Sequence, residues 1–196
     1  HLLECGSQSS GGNFTDWHLV DSFDNIGYPI VEMQASGEFI LTKHEGTGGL
    51  VSVDTVREQL FYEMANPKAY ITPDVVADFT TIKLEQVGPN RVKVSGIKGL
   101  APTDSYKVSM AYADGYKAVG SIMISGPSAR AKAEKFAEIF WQKIDVELEA
   151  RETEYVGWNA CQRSLNHSED ASEIMLRLGA RSQDKNVLQR FGKWIP

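Results

Sequence analysis

Residues 106–125 read YKVSMAYADGYKAVGSIMIS, and no other stretch constrains the fold as much. Asp114-Gly115 is among the dipeptides that most favour a two-residue hairpin turn, because both central positions of that turn need a positive φ. Before the turn, Lys107 and Ser109 interleave with Val108 and Met110. Alternation of this kind buries one face of a strand and wets the other, as in antiparallel sheets. The pattern predicts a hairpin with arms over 106–113 and 116–125.

Similar signals recur. Residues 29–34 and 38–43 flank Ala35-Ser36-Gly37, and residues 80–87 and 91–97 flank Gly88-Pro89-Asn90. Each reads as two strands about a turn. Further strands are expected near 2–5, at 154–158 and at 173–178. Three helices are expected. One covers 55–64, with Asp54 as its N-cap and Val56, Leu60 and Met64 facing the core. A second starts after Pro127 and carries an apolar stripe of Ala133, Phe136, Ala137 and Phe140. The last covers 185–194, with Val187, Phe191 and Trp194 on one side. Residues 66–79 hold two prolines and read as a constrained connection. Residues 145–154 are acidic and read as a solvated face. The expected class is α+β, a mainly antiparallel sheet with two or three packed helices, part of a larger α/β core. Residues 1–196 are expected to form a single domain.

Of the 196 residues, 42% are hydrophobic and 23% charged, the balance of a globular chain long enough to build its core without disulfide or metal staples. The net charge of −6 argues against nucleic acid or an anionic membrane as a general partner. No apolar run approaches the ~18 residues of a membrane span. Two cysteines, Cys5 and Cys161, are too few for a secreted disulfide framework, which points to a reducing compartment such as the cytoplasm or an organelle matrix.

Two glycine clusters are the chemical candidates. Gly6-Ser-Gln-Ser-Ser-Gly11 has the outer spacing of a phosphate-binding loop, but Gly12 and Asn13 stand where Lys and Ser or Thr would hold phosphate and Mg²⁺, so nucleoside triphosphate hydrolysis is rejected. Gly11, Gly12 and Asn13 remain candidates for a small ligand held by backbone N–H groups, against the plain reading of a permissive loop. Thr47, Gly48 and Gly49 lie between a strand and a helix, where N–H groups could hold an anion; a simple turn is the alternative. His44 and Glu45 adjoin that cluster and could move protons, as could Glu4. Cys5 is a candidate nucleophile, although buried thiols are commonly inert packing groups. No cluster has zinc spacing, so no metal and no cofactor are expected. Asp74 and Asp78 are the carboxylates that could hold Mg²⁺, since a helical turn would put both on one face, with a surface helix start as the plainer reading.

The segments LLECGSQSSGGNFTDW, EFILTKHEGTGGLVSVDTVREQLFYEM, PKAYITPDVVADF and VGPNRVKVSGIKG follow one another in an order and spacing that resembles the acyclic terpene utilisation family, and SGPSARAKAEKFAEIF fits its later helix. The likeness runs over nearly the whole chain. It implies catabolism of acyclic isoprenoids such as citronellol and geraniol, whose intermediates are acyl-CoA thioesters. It also implies that this chain is the second half of a longer core domain, preceded by an α/β part. It carries over no agreed catalytic set. The expected function is therefore a hydratase- or lyase-type enzyme acting on a small-molecule substrate, a CoA thioester among the candidates, in a homo-oligomer. In that reading the glycine clusters polarise a carbonyl and His44, Glu45 or Cys5 does the chemistry. The alternative is a non-catalytic assembly or interface domain of an acyl-CoA-metabolising complex.

Overall fold

The computed structural model describes residues 1–4, 7–161 and 171–194. The chain divides into two compact units, His1–Ser109 and Met110–Pro196. The class is α+β, with three antiparallel sheets and three α-helices among the described residues.

Unit 1 contains two sheets. The larger has the order β1-β2-β6-β5, formed by Ile30–Met33, Phe39–Thr42, Arg91–Ser95 and Lys83–Gly88. These are the strands the alternation marks out, slightly shortened at their ends. The smaller sheet joins β3 (Tyr70–Ile71), β4 (Val76–Asp78) and β7 (Lys98–Leu100). It lies partly inside the stretch read as an irregular connection. The helical turn proposed for Asp74 and Asp78 does not form. Asp78 ends β4 and accepts hydrogen bonds from the Thr80 N–H and hydroxyl at 2.8 and 2.6 Å, which hold its carboxyl below the usual range.

Helix α1 spans Val53–Phe61. Its N-cap is Ser52, not Asp54. The Ser52 hydroxyl accepts from the Thr55 N–H at 3.2 Å, and Thr55 Oγ1 accepts from the Ser52 N–H at 3.0 Å, satisfying two otherwise orphaned donors. Asp54 falls in the first turn, where its charge suits the helix dipole, and pairs with Arg57 at 2.6 Å. Val56 and Leu60 bury against Leu41, Val92 and Val94 of the larger sheet, together with Leu2 and Val51.

Unit 2 is one sheet with helices on one face. Its strand order is β8-β10-β9, formed by Tyr116–Ser125, Glu173–Ser182 and Ala150–Val156. Along β10 every second residue is buried, and Ile174, Leu176, Leu178 and Ala180 pack under α2 (Ala129–Lys143) and α3 (Lys185–Gly192). Phe140 of α2 and Phe191 of α3 meet edge to face, with ring centroids 5.4 Å apart. Burying side chains of this size contributes about 1.5–3 kcal/mol each.

The expected hairpin is half present. Residues 116–125 form β8, but residues 106–113 pair with no strand among the described residues. Gly115 does take the positive φ of a turn, +77°, and an added Cβ there would lie 2.9 Å from the Ser182 carbonyl oxygen. Asp114 is held by Arg181 of β10 at 3.2 Å. The turn residues thus fasten the start of β8 to the end of β10. The acidic stretch is exposed at Asp145, Glu147, Glu149 and Glu152, as expected of a solvated face, and its second half belongs to strand β9, whose Glu154 pairs with Arg177 across the ladder at 2.5 Å.

Candidate functional site

The two glycine clusters meet in space, backbone to backbone. Gln8–Ser10 form a 3-10 turn that is buried as a whole. The Ser9 hydroxyl donates to the Leu2 carbonyl at 2.8 Å, and the Ser10 hydroxyl to the Gly27 carbonyl at 2.7 Å. The Ser9 carbonyl accepts from Thr55 Oγ1 of α1 at 3.0 Å, and the Ser10 carbonyl from the Leu50 N–H at 2.8 Å. Gly49 requires its φ of +89°, and an added Cβ would lie 2.3 Å from the Ser10 carbonyl oxygen, so only glycine fits this seam.

This packing uses three of the N–H groups considered for anion binding. The Gly11 N–H donates to the Gln8 carbonyl at 2.9 Å, the Gly12 N–H to Ser7 at 2.8 Å, and the Gly49 N–H to Ser22 at 2.8 Å. Gly48 bridges to Ile26 and lies against the carbonyls of Ser22 and Asp24. Thr47 Oγ1 donates to the His44 carbonyl at 2.7 Å, and Lys43 Nζ to the Thr47 carbonyl at 2.6 Å. Asn13, His44 and Glu45 are exposed on the loops. Cys5 lies outside the described residues.

A different constellation has the features of a site. His1 is 7% exposed in its side chain, and its Nδ1 lies 3.2 Å from Glu4 Oε2. Its Nε2 is buried with no hydrogen-bond partner among the described residues. The carbonyl of the same residue accepts from Gln59 Nε2 of α1 at 3.0 Å, and Gln59 Oε1 is likewise buried and unpaired. The His1 ring meets Tyr70 edge-on with centroids 5.4 Å apart, and Phe79 at 6.2 Å. Burial, and then the nearby Glu4 and Glu63 carboxylates, push the Tyr70 phenol above its ordinary pKa, so it stays a hydrogen-bond donor. The Lys107 ammonium sits 5.7 Å from the Tyr70 ring centroid.

Phe79 joins this cluster to a pocket of about 420 Å³. Leu60, Phe61, Met64, Phe79, Ile82 and Leu84 line it, with Arg57 and Thr80 as its polar groups. The size and the few polar groups are those of a small-molecule site. Sequence reading assigns Leu60 and Met64 to the core and makes no use of His1 or Tyr70. Only the fold brings positions 1, 70 and 79 together, so no local spacing signals them.

Unit 2 carries an open groove of about 560 Å³ on the sheet face away from its helices. It is rich in charge, but Arg177 is paired with Glu154, and Arg181 with Asp114 and Glu149. Arg177 and Arg181 thus have counter-charges in place, and Lys117 and Arg151 line the same groove. Among the described residues no group of three or more His, Cys, Asp and Glu side chains could hold a metal ion, and no helix is long and apolar enough to cross a membrane.

Residues 1–196 match the family model described as acyclic terpene utilisation family protein AtuA. No curated protein and no solved structure gives a significant match.

Proposed function

The chain belongs to the acyclic terpene utilisation family, and on that premise we propose that it is a catabolic enzyme of hydratase or lyase type. Its substrate is an acyclic isoprenoid or branched acyl-CoA intermediate. The observation that carries the reading is the buried, unpartnered Nε2 of His1, beside an apolar pocket that shares Phe79 with it.

In this reading the pocket takes the branched hydrocarbon chain, whose burial is favourable by about 25 cal/mol per Å². His1 is the acid–base group. Glu4 at Nδ1 fixes the ring and favours the tautomer in which Nε2 can accept a proton. The Tyr70 phenol donates to the thioester carbonyl as negative charge develops there. For a hydration, Nε2 takes a proton from water, the hydroxyl adds to the β-carbon, and the proton returns at the α-carbon. A lyase runs the same proton inventory in reverse. His44, Glu45 and the glycine seam then have a structural role: they shape the loop that packs on α1.

The test is a binding and turnover assay on the full-length chain with saturated and α,β-unsaturated branched acyl-CoA thioesters. Binding should raise the melting temperature, since a ligand selective for the native state stabilises it. His1→Gln should lower kcat by about a hundredfold or more while thioester binding survives. His44→Ala and Glu45→Ala should leave turnover within a few-fold of the parent. If no thioester shifts the melting temperature, or if His1→Gln turns over normally, the reading fails. Loss of assembly on His44→Ala, in a chain that turns over no thioester, would instead favour the assembly-domain alternative.

A further inference from the structure

Residues 106–113 have no regular secondary structure, are exposed throughout, and are unpaired among the described residues. Their large apolar side chains alternate: Tyr106, Val108, Met110 and Tyr112 are 82%, 77%, 78% and 72% exposed. The segment is a strand by pattern with no sheet to sit in. The ten residues of β8 form the matching vacancy, since β8 pairs only with β10 and its other edge is open among the described residues. Long open edges that carry neither proline nor a bulge are templates for strand addition.

We propose that residues 106–113 are an exchanged arm that pairs with the β8 edge of a second copy of this chain. Three observations select a second copy over another protein. Each chain carries both an orphan strand and an open edge, so one two-fold axis satisfies both at once, as an isologous interface requires. The arm and β8 also already match each other. Around Asp114-Gly115, hairpin register places Met110 opposite Val119 and Tyr106 opposite Met123, and both β8 residues are exposed. A strand exchanged through that hinge keeps these cross-strand apolar pairs. Finally, the eight arm residues and ten β8 residues of each copy come close to the roughly 20–30 residues a side of a stable interface. The hinge is where the structure departs from the hairpin pattern, with Asp114 tied to Arg181 and the arm paired with no strand among the described residues.

The test is the oligomeric state of the full-length chain by light scattering from low to high micromolar concentration, together with cysteine cross-linking. The expected result is a dimer. Val108→Lys with Met110→Lys, both at exposed sites, should raise the dimer dissociation constant more than tenfold and leave the melting temperature at low concentration unchanged. Met110→Cys with Val119→Cys should cross-link between copies under mild oxidation, because opposed strand residues lie within disulfide reach. The parent, with Cys161 exposed, is the control for background cross-links. A monomeric parent, a doubly substituted arm that still dimerises with parental affinity, or a Met110→Cys/Val119→Cys disulfide confined to one chain would each overturn the proposal.

Discussion

Unit 2 is built from long, regular elements around apolar layers. β10 delivers Ile174, Leu176, Leu178 and Ala180 from alternate positions, and Phe140, Trp141 and Phe191 close the core ring against ring. Unit 1 is built from short strands and hydrogen bonds. Among the described residues the buried polar side chains Gln8, Ser9, Ser10, Thr42, Thr55 and Gln59 belong to unit 1, and Ser182 alone to unit 2. An apolar core tolerates repacking, whereas a buried polar network holds only while every member is satisfied. The difference bears on function. Of the buried side-chain atoms without a hydrogen-bond partner among the described residues, His1 Nε2 and Gln59 Oε1 lie in the polar unit, where neighbouring groups are already fixed and a reacting group can be held in place; Arg181 Nε lies in unit 2, on a guanidinium whose other nitrogens pair with Asp114 and Glu149.

The strongest attempt to break this contrast is Phe191→Ala. Phe191 is fully buried and touches the rings of both Phe140 and Trp141. Its truncation should cost about 3–5 kcal/mol. Hydrogen exchange read by mass spectrometry should show protection falling in β8, β10 and the two helices of unit 2, while α1 and β2 keep theirs. An equal fall across both units would show that they unfold as one block, and the contrast would then lie only in composition.

Gly49→Ala probes the other side. The left-handed backbone alone costs a non-glycine residue about 1–2 kcal/mol. The new Cβ would also force the Ser10 carbonyl to move, and with it the Leu50 N–H that donates to it. The expected loss, by chemical denaturation, is at least about 2 kcal/mol, with lost protection confined to unit 1. A neutral Gly49→Ala would mean that the seam is soft, and the second glycine cluster would lose its structural role.

How much of this was legible in the sequence follows from range. β1, β2, β5, β6, β8 and β10 and the three helices were readable because their signals are local: alternation, a turn dipeptide, an apolar stripe. β3, β4 and β7 are two or three residues long and owe their pairing to tertiary contact, so residues 66–79 read as an irregular connection. The start of β9 was hidden by acidic residues in and just before it, since Glu154 within the strand and Glu149 ahead of it find arginine partners only on β10. At 106–113 the pattern was right, but a pattern says only that a strand wants a partner and not which edge supplies it. In the site, glycine spacing drew attention to N–H groups that turn out to bond within the protein. The spacing did mark positions where chains approach closely, which is the other use of glycine.

The smallest expected effect sets one tyrosine in each unit side by side. Burial raises the pKa of both Tyr70 and Tyr155; Glu4 and Glu63 add to it at Tyr70, while at Tyr155 Glu134 adds and Arg130 opposes. A raised pKa in the folded state means that the native protein holds the phenol proton more tightly than the unfolded chain does. The stability this gives is fully present below the unfolded value near 10 and is lost as pH rises through the folded value. Denaturation midpoints taken from pH 8 to pH 11 should therefore fall less steeply above pH ~10 in Tyr70→Phe than in the parent. Added salt should narrow the gap, because the carboxylate share of the shift is screened and the burial share is not. A Tyr70→Phe curve parallel to the parent's would mean that the phenol ionises as it does in water. Tyr70 would then lack the surroundings that set it apart from a surface tyrosine, and the proposed site would rest on His1 Nε2 and its pocket alone.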